Sequence, residues 1–244
     1  EVLEAFQVVQ ECSPRAATGW LSTFARAGRP HIAVALLRAV QAVRMEANVI
    51  HYNAAINACD KAGEWIMALD LLETMARCKI KSNARTCSTA ISALDRGGQW
   101  AAALGLFYDM TWMAVERDTV VCNAAISACR KGKQWIHALS FLDAMARDRI
   151  DQDTVTYNSA ISACEQSGKW TAAMVLLSAM AARTVDRDEI TYTAVISACE
   201  DVGEWVVALS LLDSMVDAGI KRHASSFNCA VSACGRVGEW QAAL

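Results

Sequence analysis

Residues 52–59 read Tyr52-Asn53-Ala54-Ala55-Ile56-Asn57-Ala58-Cys59, and after Gly63 the chain continues Trp65-Ile66-Met67-Ala68-Leu69-Asp70-Leu71-Leu72-Glu73-Thr74-Met75. In the first stretch Tyr52, Ile56 and Cys59 fall at i, i+4 and i+7, which is one face of an α-helix. In the second, Trp65, Ala68, Leu69, Leu72 and Met75 form another stripe at helical spacing, and Gly63 interrupts the pattern between them. The two stretches predict an antiparallel helix pair, a helix A followed by a helix B. A short polar connection, Cys78-Lys79-Ile80-Lys81-Ser82-Asn83, follows, pinned by the apolar Ile80.

The same wording recurs along the chain. Tryptophans stand at 65, 100, 135, 170, 205 and 240, each 35 residues after the last, with Ala68, Ala103, Ala138, Ala173, Ala208 and Ala243 three positions later. Gly63, Gly98, Gly168, Gly203 and Gly238 keep the same phase, as do Met75, Met110, Met145, Met180 and Met215. A strict period of this length marks stacked supersecondary units, none of which buries its apolar face alone. No alternating strand pattern is present, so the fold class is all-α, a solenoid of 35-residue helix-turn-helix repeats. Starting a unit at Val49 gives six full repeats at 14–48, 49–83, 84–118, 119–153, 154–188 and 189–223, a remnant of a preceding repeat or N-terminal cap at 1–13, and a truncated seventh repeat at 224–244. Stopping halfway along a helix B leads us to expect a fragment of a longer array.

Composition narrows the function. With 54% hydrophobic and 20% charged residues, 2 prolines and 12 glycines in 244 residues, the chain is too apolar for disorder. Lys+Arg of 23 against Asp+Glu of 26 gives a net charge of −3, so any polyanion site has to be a local stripe. No apolar run approaches the roughly 18 residues of a membrane span, so no membrane insertion is expected. Ten cysteines form no CxxC pair. Cys59, Cys129, Cys164, Cys199 and Cys234 share a column with Phe24 and Leu94, which suits packing and not metal ligation. There is no GxxxxGK[ST], GxSxG or HExxH arrangement, and we expect neither catalysis nor a cofactor nor a metal in this chain.

Thr156-Tyr157-Asn158-Ser159-Ala160-Ile161-Ser162-Ala163-Cys164, then Gly168, then Ala172-Ala173-Met174-Val175-Leu176-Leu177 and Met180, closely resembles the pentatricopeptide repeat family over about residues 14–244. Tetratricopeptide repeats have a usual period of 34 and a Trp-x2-Leu-Gly-x2-Tyr pattern, which is missing here. The "ISAC…GxW" wording is more similar to pentatricopeptide proteins of unicellular algae and related protists than to those of land plants. The resemblance implies a right-handed superhelix and single-stranded RNA binding, one base per repeat. It also implies a mitochondrion or chloroplast as the setting, with a part in RNA processing, stability or translation. The proline usual near the unit's end is absent, with Ser82, Arg117, Gln152 and Arg187 in its place, which is expected to loosen that turn.

In the family each repeat reads its base with the fifth residue of helix A and the last residue of the unit. The pairs implied here are Thr18 with Asn48, Asn53 with Asn83, Ser88 with Asp118, Asn123 with Asp153, Asn158 with Asp188, and Thr193 with His223, and Asn228 opens a further one. The family's pairing code then implies A, C over U, G, U and U, 5′ to 3′ along the chain, followed by a purine and then a pyrimidine, with His223 departing from the code. Short polar side chains recurring at one helical position supply directional donors and acceptors on their own account. The same residue types also suit helix N-caps, and capping and recognition are compatible. The second position of the unit holds Ile50, Val120, Val155 and Ile190, which the resemblance assigns to sandwiching the bases; Arg15, Arg85 and Ser225 interrupt that column. The thirteenth position holds Arg26, Lys61, Arg96, Lys131 and Arg236, a basic stripe for phosphates that Gln166 and Asp201 break. The tryptophan column lies in phase with the apolar stripe of helix B and is expected to pack between neighbouring repeats. The alternative partner is protein, with the array a scaffold among the subunits of an organellar ribosome or other complex.

Overall fold

The computed structural model describes residues 14–42, 47–239 and 241. The segment 1–13, Trp240 and residues 242–244 of the truncated repeat lie outside them. Thirteen helices and no strand occur among the described residues. In order they are α1 (Pro14–Arg26), α2 (Pro30–Ala42), α3 (Val49–Ala62), α4 (Trp65–Arg77), α5 (Ala84–Arg96), α6 (Trp100–Trp112), α7 (Thr119–Lys131), α8 (Trp135–Arg147), α9 (Thr154–Gln166), α10 (Trp170–Ala182), α11 (Glu189–Val202), α12 (Trp205–Asp217) and α13 (Ala224–Val237). The fold is all-α, a helical repeat array in which odd-numbered helices are A and even-numbered ones B.

The chain divides into two compact units, residues 1–128 and 129–244. In the first, α3 packs against α1 and α5 on either side and against α2 and α4, so A helices form one layer and B helices a second. In the second, α11 lies between α9 and α13 and rests on α10 and α12 in the same way. The close approach of A helices is set by alanine: Ala55, Ala58, Ala90, Ala93, Ala160, Ala163, Ala198 and Ala233 are all fully buried. Tyr52, Ile56 and Cys59 are buried completely, as their spacing predicts. On helix B the deepest stripe is Ala68, Leu71 and Met75, whereas Leu69 and Leu72 are half-buried. The reason is that a helix B has two neighbours: Leu72 borders a hollow of about 500 Å³ shared with Leu106 and Met113 of the following repeat.

The turns follow from backbone chemistry. Gly63, Gly203 and Gly238 end their A helices in the left-handed conformation, at φ 74°, 78° and 82°. Beside this turn Trp65 packs across to the next repeat, where a Cβ on Gly97 would run into its Cδ1 atom, and Lys169 lies over the Trp135 ring at 5.8 Å. Trp65 and Trp135 thus sit between repeats. At the unit's end, where proline is missing, other contacts hold the turn: Arg187 lies over Tyr192 at 5.9 Å and Tyr157 Oη donates to Gln152 Oε1 at 2.9 Å. The cysteine column is buried, and burial pushes the thiols of Cys59 and Cys129 up to about 12, so they remain protonated packing groups.

Candidate nucleic-acid interface

In the first unit a cleft of about 550 Å³ opens among α1, α3 and α5. It brings together Ile50 and Asn53 of α3, Asn83 and Arg85 at the start of α5, and Arg26 at the end of α1. One cleft therefore collects a fifth-position residue and its unit-end partner, two residues of the second column, and a cation of the thirteenth.

The unit-end column caps helices. Asn48 Oδ1 accepts from the N–H groups of Ile50 (3.0 Å) and His51 (3.2 Å), and Asn83 Oδ1 from that of Thr86 (2.9 Å). Asp118, Asp153 and Asp188 accept from the N–H groups of Val121, Thr156 and Thr191 at 2.8–2.9 Å. These oxygens thereby satisfy helix N–H groups that have no partner within the helix. His223 makes no such bond; its Nε2 lies 3.1 Å from Glu189 Oε2.

The fifth-position residues are not caps, since they lie one turn inside helix A. Asn53, Asn123 and Asn158 are half-buried and Asn228 is exposed. Asn158 Nδ2 donates to Asp188 Oδ1 at 3.1 Å, a direct link between fifth and last residues of one repeat. Thr18 Oγ1 is 2.9 Å from His51 Nε2. Ser88 is turned away: it is buried and its hydroxyl donates back to Arg85 O at 3.1 Å. Thr193 Oγ1 is buried without a hydrogen-bond partner.

Ile50, Val120, Val155 and Ile190 are 57–64% exposed, one per repeat. Large aliphatic side chains held in water at one repeated position are more informative than scattered ones. In the thirteenth column Arg26, Lys61, Arg96, Lys131 and Arg236 are all exposed at the C-terminal ends of A helices. Arg96 Nε is 3.0 Å from Asp60 Oδ1 and Arg236 3.4 Å from Asp201, so carboxylates partly offset the stripe. Among the described residues no group of three or more His, Cys, Asp or Glu could hold a metal, and no helix is long and apolar enough to cross a membrane.

Sequence reasoning passed over the third column, His51, Thr86, Thr156, Thr191 and Ser226, whose polar side chains are buried at the base of the interface. The repeated Asn83-x-x-Thr86, Asp153-x-x-Thr156 and Asp188-x-x-Thr191 spacing is that of a capping box and was the available signal.

A family model described as "Pentatricopeptide repeat-containing protein" matches residues 18–143, and models described as "PPR repeat family" and "PPR repeat" match 152–201 and 190–220. No curated protein matches the chain. Among solved structures, the pentatricopeptide repeat protein PPR10 from maize is 25% identical, with a TM-score of 0.74 over 95% of this chain and 33% of its own. The same protein in complex with an 18-nt psaJ RNA element aligns with a TM-score of 0.57 at 19% identity, over 96% of this chain and 39% of that one. The PPR domain of Arabidopsis thaliana protein-only RNase P 1 in complex with tRNA aligns at 0.63 and 15% identity, covering 77% of this chain and 95% of that domain. The chain thus spans about a third of the length of the maize protein.

Proposed function

Because this chain belongs to the pentatricopeptide repeat family, we propose that it binds single-stranded RNA and reads it one base per repeat, in organellar RNA processing, stability or translation. The carrying observation is the cleft that joins Asn53, Asn83, Ile50, Arg85 and Arg26. A base entering it meets an aliphatic face and a guanidinium plane for stacking and amide groups for its edge. Solved structures of family members in complex with RNA support the reading.

The hydrogen-bond inventory supports a preference at two of the pairs. Asn158 has one Nδ2–H left after bonding Asp188, and the Asp188 carboxylate only accepts. A donor beside an acceptor matches uracil, whose N3–H lies between two carbonyl oxygens. At Asn53 and Asn83 both amide oxygens already accept, from the Thr86 hydroxyl and the Thr86 N–H. The remaining donors match N3 and O2 of cytosine. Under the family's pairing code the proposed register A-(C/U)-G-U-U runs from the first to the fifth repeat, with Ser88 the weakest reader because its hydroxyl is turned to its own helix.

Replacing Asn123 by Thr tests this directly. Measured by binding to RNAs varied at single positions, Asn123→Thr is expected to change the preferred base at the fourth register and no other. A loss spread evenly over all sequences contradicts base reading. The scaffold reading is favoured by the exposure of Trp112 at 89% beside exposed Met113 and Tyr108, and it gains if no RNA is bound. Imaging the tagged full-length protein tests the mitochondrial or chloroplast setting.

A further inference from the structure

Three hydrogen-bonding groups meet behind two of the fifth-position asparagines, Asn53 and Asn158. Thr86 Oγ1 lies 2.6 Å from Asn53 Oδ1 and 2.9 Å from Asn83 Oδ1, and accepts from Asn83 N–H at 3.2 Å. Thr191 Oγ1 repeats the arrangement, 2.6 Å from Asn158 Oδ1 and 2.9 Å from Asp188 Oδ1, with Asp188 N–H donating to it at 3.2 Å. Both threonines are completely buried, so no water competes for their hydroxyls. A hydroxyl carries one proton, and the shorter contact assigns it to the asparagine oxygen.

We infer that a threonine at the third position of the repeat following a fifth-position asparagine is a specificity-determining positioning residue, which fixes which end of the base-reading asparagine amide faces the RNA. The inference rests on the base-reading function proposed above. An asparagine amide is a donor at one end and an acceptor at the other, and rotation about χ2 exchanges them. With its oxygen held by Thr86, Asn53 offers only N–H groups; once released, it offers either end and discriminates poorly between cytosine and uracil.

The sequence keeps this partnership within one chain. The third position is Thr after each asparagine, in the pairs Asn53 and Thr86, Asn123 and Thr156, and Asn158 and Thr191. After Ser88, which has no amide to orient, it is Val121, itself fully buried. After Thr18 it is His51, whose Nδ1 accepts from Asn48 N–H at 3.2 Å, so the ring proton sits on Nε2 and is donated to the Thr18 hydroxyl at 2.9 Å. After Thr193 it is Ser226, whose hydroxyl donates instead to His223 O at 2.9 Å and leaves the Thr193 hydroxyl orphaned. A helix cap alone gives no reason for the third residue to follow the identity of a residue 33 positions earlier.

The Asn53 and Asn158 junctions differ in a way that sharpens the test. Asn158 has a second anchor, its Nδ2 bond to Asp188, whereas no second anchor is described for Asn53. Binding of the 244-residue chain to RNAs carrying C, U, A or G at the second register, and separately at the fifth, is measured for wild type, Thr86→Val, Thr86→Ser and Thr191→Val. Valine is the residue the fold already accepts at position 121, and thermal melting confirms that each variant folds. Thr86→Val is expected to reduce the C-over-U ratio at the second register at least fivefold with other registers unchanged. Thr86→Ser is expected to retain it, and Thr191→Val to shift the fifth register less than twofold. An unchanged ratio in folded Thr86→Val, or a loss equal for all four bases, overturns the positioning role while leaving base reading intact. A wild-type chain with no preference at any register overturns base reading, and this inference with it.

Discussion

Asp188 serves the fold through its cap and, on the proposed reading, recognition as well. Burial opposes its ionisation, but the Thr191 N–H, the Asn158 amide and the Ile190 N–H outweigh that and hold the carboxyl below its ordinary value. A lowered folded value means that stability from Asp188 is complete above the unfolded carboxylate range, about 3.9, and is lost as pH falls through the folded value. Asp188→Ala is expected to cost about 1 kcal/mol at pH 7, a difference that is constant from pH 8 to 5 and shrinks below about pH 4. Urea unfolding of both proteins across that range checks it, and a difference that grows towards acid contradicts it. Either asparagine column suited a cap from sequence alone, because capping depends on φ and ψ at a boundary that periodicity locates only to within a residue or two. The structure separates them: Asn48 and Asn83 cap at extended backbone, and Asn53 sits one turn inside α3.

At the scale of elements, the repeat supplies its own controls. Lys133 interrupts the glycine column Gly63, Gly98, Gly168, Gly203 and Gly238, yet adopts the same left-handed turn at φ 54°. Lys133→Gly relieves a side chain from a conformation that disfavours it, and is expected to stabilise the protein by about 0.5–1 kcal/mol despite glycine's freer unfolded chain. His223 leaves α13 without a side-chain cap, and His223→Asn is expected to add about 1 kcal/mol. Denaturant midpoints measure both, and a destabilised Lys133→Gly means that the turn is not strained. The helices, their turns and the inter-repeat tryptophan were legible in the 35-residue period. The buried stripe of helix B was legible only in part, because a helix with neighbours on two sides carries apolar residues on both and its widest stripe does not mark its deepest. The third column stayed hidden for a different reason: buried threonines among alanine and isoleucine look like packing until their hydroxyl partners, 33 residues away, are seen.

Across the whole chain, the basic column is continuous at one end and broken towards the other. Arg26, Lys61 and Arg96 stand at successive thirteenth positions in the first unit, while in the second Lys131 and Arg236 flank Gln166 and Asp201. There Glu165 is pushed up by burial, against a hydrogen bond from Ser197, with Asp201 and Glu200 adding to the acidity around it. Against a net charge of −3, the proposed phosphate contacts would therefore be local and few. Lys61→Gln is expected to weaken binding to all RNAs alike and to lower the slope of log affinity against log salt by about 0.7. Asp201→Lys is expected to strengthen binding and steepen that slope. A sequence-dependent effect of either contradicts a backbone role. The central claim, base reading, is tested most directly by binding of this chain to single-stranded A-C-G-U-U-A-C and to a scrambled RNA of identical composition, at two salt concentrations. The account expects the ordered sequence to bind at least tenfold more tightly, with both affinities falling as salt rises; equal or negligible binding to the two RNAs contradicts it.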